Sequence, residues 1–145
     1  MHKGTPMRSL RLCVPVLLSF LIAGCVSVEA PGVPIKIAAV EGMPAERHDA
    51  VIAVVRGEAL VHAIELTETD PRFFLRGYLG LQERDGEMRL GFVWDVFDAN
   101  RTRARRITAD VATSSASWDE VGEAEIRNAA AKAMNEVAAF LAERR

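Results

Sequence analysis

From residue 35 to the end, two hydrophobic periods alternate along the chain. Ile35 to Val40 is a short apolar run with one charge, Lys36, and reads as a strand closed by Gly42-Met43-Pro44. Ala45 to Ala63 carries Val51, Val54, Val55 and Ala59 near one stripe, which predicts a helix that Pro44 or Ala45 starts. Val51 to Val55 also suits a buried strand, and Gly57 weakens a helix there. Period two then takes over. Phe73 to Gln82 sets Phe73, Leu75, Leu79 and Leu81 against Arg76 and Gln82; Met88 to Phe97 sets Leu90, Phe92, Trp94 and Val96 against Arg89 and Asp95; and Arg103 to Thr113 turns Ile107, Ala109 and Val111 inward. Arg84-Asp85-Gly86-Glu87 and Asp98-Ala99-Asn100-Arg101 separate these strands as turns, so an antiparallel meander is expected. The last segment returns to the helical period, with Ile126, Ala130, Ala133, Val137, Phe140 and Leu141 on one stripe. Ser117 and Glu120 form a capping-box pattern ahead of it, and Glu123 and Arg127 are spaced to pair at i, i+4. Strand, helix, three antiparallel strands and helix make an α+β sandwich of two layers.

The first 34 residues follow a different pattern. Lys3, Arg8 and Arg11 precede an uncharged apolar run from Leu12 to Ala23, and no acid occurs before Glu29. Twelve residues of helix span about 18 Å, short of a hydrocarbon core of about 30 Å. The order of basic, apolar and small residues is that of a secretory signal peptide, with Met1 or Met7 as its start. The run Ile22-Ala23-Gly24-Cys25 resembles the lipobox of bacterial lipoproteins. That resemblance implies a diacylglycerol thioether on Cys25, cleavage before it and acylation of the new amino terminus. Val26 follows Cys25 in place of Asp, which under the enterobacterial sorting rule implies the periplasmic leaflet of the outer membrane. Three regions result: signal peptide 1–24, lipidated tether 25–34 and a single domain 35–145. Pro31, Gly32 and Pro34 keep the tether out of a helix, and its ten residues reach at most about 35 Å.

Processing changes the composition that matters. Taking Lys3, Arg8 and Arg11 from the 18 basic residues leaves 15 against 20 acidic ones, a net charge of −5. An acidic domain in this compartment is not expected to bind nucleic acid. Cys13 lies in the leader and Cys25 carries lipid, so no thiol remains for a disulfide, a nucleophile or a metal.

Candidate chemistry is sparse. Arg101, Arg103, Arg105 and Arg106 form the one cluster of like charge, a candidate site for lipid A phosphates or anionic cell-wall groups. The competing reading is a hairpin tip whose charge Asp95 and Asp98 offset. Asp95, Asp98 and Asn100 lack the ligand loop and bidentate Glu of a calcium site. His48 and His62 have no metal-ligand spacing, and Ser114, Ser115 and Ser117 lack a nucleophile context, so no metal, cofactor or catalytic residue is assigned. The segment around Val93-Trp94-Asp95-Val96-Phe97-Asp98-Ala99, with Gly77 before it and Trp118 after it, resembles small lipoproteins of alphaproteobacteria that carry a VWDVxDAxGxRxxR hairpin. Here Asn100-Arg101-Thr102-Arg103 departs from that pattern by lacking its turn glycine. The element order is similar to the amino-terminal domain of TolB and to lipoprotein activators of penicillin-binding proteins. Together these features predict an envelope-anchored, non-enzymatic binding or accessory module with an envelope protein or cell-wall partner. The contrasting readings are a cell-wall enzyme and a lipid or lipopolysaccharide assembly subunit.

Overall fold

The structure is a computed structural model and describes residues 32–145; the signal peptide and Cys25 lie outside the described residues. Strand β1 (Ile35–Glu41) leads through a 3-10 turn at Ala45–Arg47 into helix α1 (His48–Val61). Strands β2 (Phe73–Arg84), β3 (Glu87–Asp98) and β4 (Arg103–Ala112) follow, and helix α2 (Glu123–Ala142) ends the domain. The four strands form one sheet in the order β1-β2-β3-β4. The pairs β2–β3 and β3–β4 are antiparallel, as the two hairpin signals predict, and β1 lies parallel to β2. A parallel pair needs a crossover, and α1 supplies it.

The ambiguous 45–63 segment is helical. Val51, Val55 and Ala59 are fully buried at i, i+4 and i+8, while Gly57 faces open space and carries no packing cost. In α2, Ile126, Ala129, Ala130, Ala133, Met134, Val137, Phe140 and Leu141 are buried. Both helices cover the same side of the sheet. There they meet Leu75, Leu79, Leu90, Phe92, Trp94, Val96, Ile107 and Ala109. Phe92 and Trp94 stack at 5.6 Å between centroids, and Phe73 meets Phe140 edge-on at 5.4 Å. Gly77 faces Trp94 across the strand pair; a Cβ there would lie 2.5 Å from Trp94 Cζ3. Among the described residues the buried hydrophobic ones run from Val33 to Leu141, so a chain beginning at Gly32 contains all of them.

Two local expectations need correction. The last helix does not start at Ser117. Residues 117–120 form a turn, closed by Glu120 N–H donating to Ser117 O, and Glu120 instead accepts from the Ala116 N–H. The cap is Gly122, whose N–H donates to Glu125 Oε2 at 2.8 Å. Glycine has no side-chain oxygen to return the bond, so the capping box is one-sided. Glu125 also accepts from Thr113 and Ser115, and these partners move the cap from Ser117 to Gly122, later in the chain than the Ser-x-x-Glu pattern predicts. The second correction concerns Asp98. It does not pair with an arginine; its Oδ1 accepts the Asn100 and Thr102 N–H groups at 2.9 Å, the local bonding that Asp favours in turns.

Candidate functional site

Covering one face of a sheet with two helices leaves the other face open. Strand alternation decides what it carries: Phe74, Arg76, Tyr78 and Gly80 from β2; Arg89, Gly91, Val93, Asp95 and Phe97 from β3; and Arg106, Thr108 and Asp110 from β4. Across its middle runs a row of alternating charge. Arg76 Nη2 donates to Glu41 Oε1 at 2.9 Å, and Arg76 stands opposite Asp95 in the β2–β3 register. Arg106 binds Asp95 through both oxygens, Nε to Oδ1 at 2.8 Å and Nη2 to Oδ2 at 2.7 Å, and Arg103 lies 3.5 Å away. Asp95 is only 5% exposed. The hydrogen bonds from Arg106 hold its carboxyl below the usual carboxylate range, with the nearby Arg106 and Arg103 charges adding to the effect and burial opposing it. A second forked pair, Arg89 with Asp110, lowers the Asp110 carboxyl in the same way.

The charged row divides the face into two hollows. One, of about 190 Å³, has paired Gly80 and Gly91 on its floor, with Tyr78, Val93 and Thr108 around them. The other, of about 410 Å³, is lined by Ala38, Ala39, Phe74, Arg76, Phe97 and Arg101. A register shift between Ile37 and Ala39 leaves Ala38 outside the β1–β2 pairing, and small side chains there keep the hollow open.

The four arginines of the cluster do not converge. Arg103 and Arg106 meet at Asp95 on the open face. A register shift between Val96 and Phe97 puts Arg105 opposite Val96, on the helix side, where it pairs with Glu143 at 3.2 Å and lies 5.5 Å from the Phe140 ring. Arg101 sits in the β3–β4 turn with φ of 62°, and its guanidinium lies over Phe74 at 4.3 Å. Consecutive charges in a strand point to opposite faces, so proximity in sequence did not become one site. The remaining candidates are likewise apart. His48 begins α1 and His62 follows its end, about 20 Å away by helical rise. Ser115 is buried and donates to Glu125 at 3.0 Å; the Thr113, Gly122 and Ser115 donors hold the Glu125 carboxyl below its usual range. Trp94 is core, with no exposure. Sequence reasoning missed Phe74 and Phe97 as surface groups. The same alternation that placed Phe73 and Val96 inward puts them on the open face.

No protein-family model matches the chain, and no curated protein matches it. Among solved structures, the fold is shared with a variant of PelC from Paraburkholderia phytofirmans that forms a dodecamer, at a TM-score of 0.51 and 14% identity, over 74% of this chain and 87% of that one. A minor lipoprotein from Acinetobacter baumannii aligns at 0.45 with 15% identity, over 78% of this chain and 95% of that one. A lipoprotein from Caulobacter crescentus aligns at 0.45 with 20% identity, covering 76% and 89%. At these identities the likeness is one of fold.

Proposed function

We propose that this chain is a lipoprotein, anchored through Cys25 to the periplasmic leaflet of the outer membrane, that acts as a non-enzymatic binding module. The observation that carries the reading is the run Leu21 to Cys25, placed directly after an apolar segment too short to span a bilayer. Lipidation gives the domain a durable attachment, because each buried CH₂ is worth about 0.8 kcal/mol. The open sheet face is the surface this reading assigns to a partner, since its polar groups and hollows are free of the helices. Metabolic labelling with a palmitate analogue tests the anchor: wild type takes up label and Cys25→Ser takes up none. A wild-type chain without label overturns it.

Self-association is the second reading. Leu60 and Val61 on α1 are 73% and 74% exposed, the large hydrophobic side chains most open to solvent among the described residues. PelC shows that a dodecamer is compatible with this fold. Sedimentation of the domain against Leu60→Glu tests it; a wild type that stays monomeric at high concentration removes this reading.

A further inference from the structure

We propose that the hollow lined by Phe74, Phe97 and Arg101 seats the phosphate of an anionic membrane lipid, with the apolar part of the headgroup region against the two rings. The inference starts from a backbone outlier. Arg101 adopts φ of 62°, a left-handed conformation that glycine takes freely and a side-chain-bearing residue takes at a cost. Its turn has no need of an arginine side chain: the Asp98 carboxylate accepts the Asn100 and Thr102 N–H groups, and the Arg101 N–H donates to Asp98 O. Nor does its guanidinium serve a carboxylate. Among the described residues Arg76, Arg103, Arg105 and Arg106 each have an acidic partner within 4 Å, and Arg101 has none. It is a free cation held over Phe74 at the mouth of a hollow of about 410 Å³ whose other walls are mostly apolar. A forked guanidinium beside aromatic and methyl surface suits a phosphate ester attached to hydrocarbon.

The place of the hollow selects the membrane as the source of that phosphate, a step that rests on the anchor at Cys25. Ile35, where the tether joins the sheet, pairs with Phe73, and Phe73 pairs with Asp98 at the foot of the Arg101 turn. Ala38 and Ala39 lie only about 10–13 Å along β1 from that junction at the usual strand rise. Ten tether residues hold this end of the sheet within about 35 Å of the lipid. The hollow is therefore on the end of the domain that the bilayer meets first.

The test uses the lipid-free domain, residues 32–145, which contains every buried hydrophobic residue among the described residues. It is sedimented with vesicles of phosphatidylcholine alone or with about a third phosphatidylglycerol. Wild type should partition onto the anionic vesicles and release as salt rises, since exposed charges are screened within about 8 Å at physiological ionic strength. Arg101→Gly should weaken partitioning about fivefold, as expected for loss of one basic residue near an anionic surface, without lowering the thermal midpoint. Arg127→Gln, in the first turns of α2, should partition like wild type. Equal binding to both vesicle types, or Arg101→Gly behaving as wild type, overturns the proposal. Inorganic phosphate shifting the amide signals of residues 98–102 at submillimolar concentration, with no vesicle binding, also overturns it in favour of a soluble anion. Palmitate labelling is read separately: vesicle binding by a chain that takes no label keeps the hollow and discards the anchor.

Discussion

Arg101 and Trp94 show how single positions carry opposite kinds of cost. Arg101 holds a left-handed backbone that a Cβ disfavours by about 1 kcal/mol. In urea denaturation, Arg101→Gly should therefore be more stable than Arg101→Ala by about 1 kcal/mol, because both lose the Phe74 contact and only glycine relieves the backbone. Equal midpoints for the two would mean the turn relaxes around alanine. Trp94 is fully buried, yet its Nε1 has no hydrogen-bond partner among the described residues. Trp94→Ala should cost about 3–5 kcal/mol through the cavity it leaves. Trp94→Phe should cost far less, since it removes an unpaired donor along with part of the ring. At the facing position, Gly77→Ala should cost about 1–3 kcal/mol by pressing its methyl into that ring. The inward direction of Trp94 was legible from its alternation with Phe92 and Val96. The tight approach of Gly77 was not, because cross-strand register is set by the hairpin turn and not by β2 itself.

Among the elements, the junction before α2 was the least legible. Ser117 and Glu120 satisfy a local capping rule, but Glu125 collects Thr113, Ser115 and the Gly122 N–H, three donors that come together only once β4 is in place. Glu125→Ala should cost about 1–2 kcal/mol, the usual loss of a charged acceptor at a helix start, and should leave Ser115 buried without its partner. The carboxyls of Asp95, Asp110 and Glu125 all ionise below their ordinary range in the folded chain. Groups with depressed folded values contribute stability above the unfolded value of about 4, and that stability is lost as pH falls through the lower folded ones. Denaturation midpoints should accordingly fall with pH below about 4, and Asp95→Asn should flatten part of that slope. A slope unchanged by Asp95→Asn would assign the acid sensitivity to the other lowered carboxyls, Asp110, Glu125 and Glu68. The arginine cluster illustrates the same limit of local reading. Its charges were visible in the sequence, but the register shift between Val96 and Phe97 and the strand period decided which arginine met which acid.

For the whole molecule, the meander, its inward faces and the last helix followed from periodicity and turn residues, whereas the parallel pairing of β1 with β2 did not. That pairing joins residues 35 and 73 and depends on α1 having crossed the sheet. Its consequence is one of timing. A chain made from its amino terminus exposes β1 and α1 before either has anything to pack on. The two hairpins of β2, β3 and β4 can pair next, but Leu90, Phe92 and Trp94 stay uncovered until α2 lays its eight buried residues across them. Chains ended after Ala112 should then be degraded by a limiting protease at rates near those of an unfolded control, while chains reaching Ala142 resist it. If the shorter chains resist as well, the hairpins hold together unaided. On the expected outcome the domain has no stable halfway state: the twenty residues of α2 decide when it becomes a folded object.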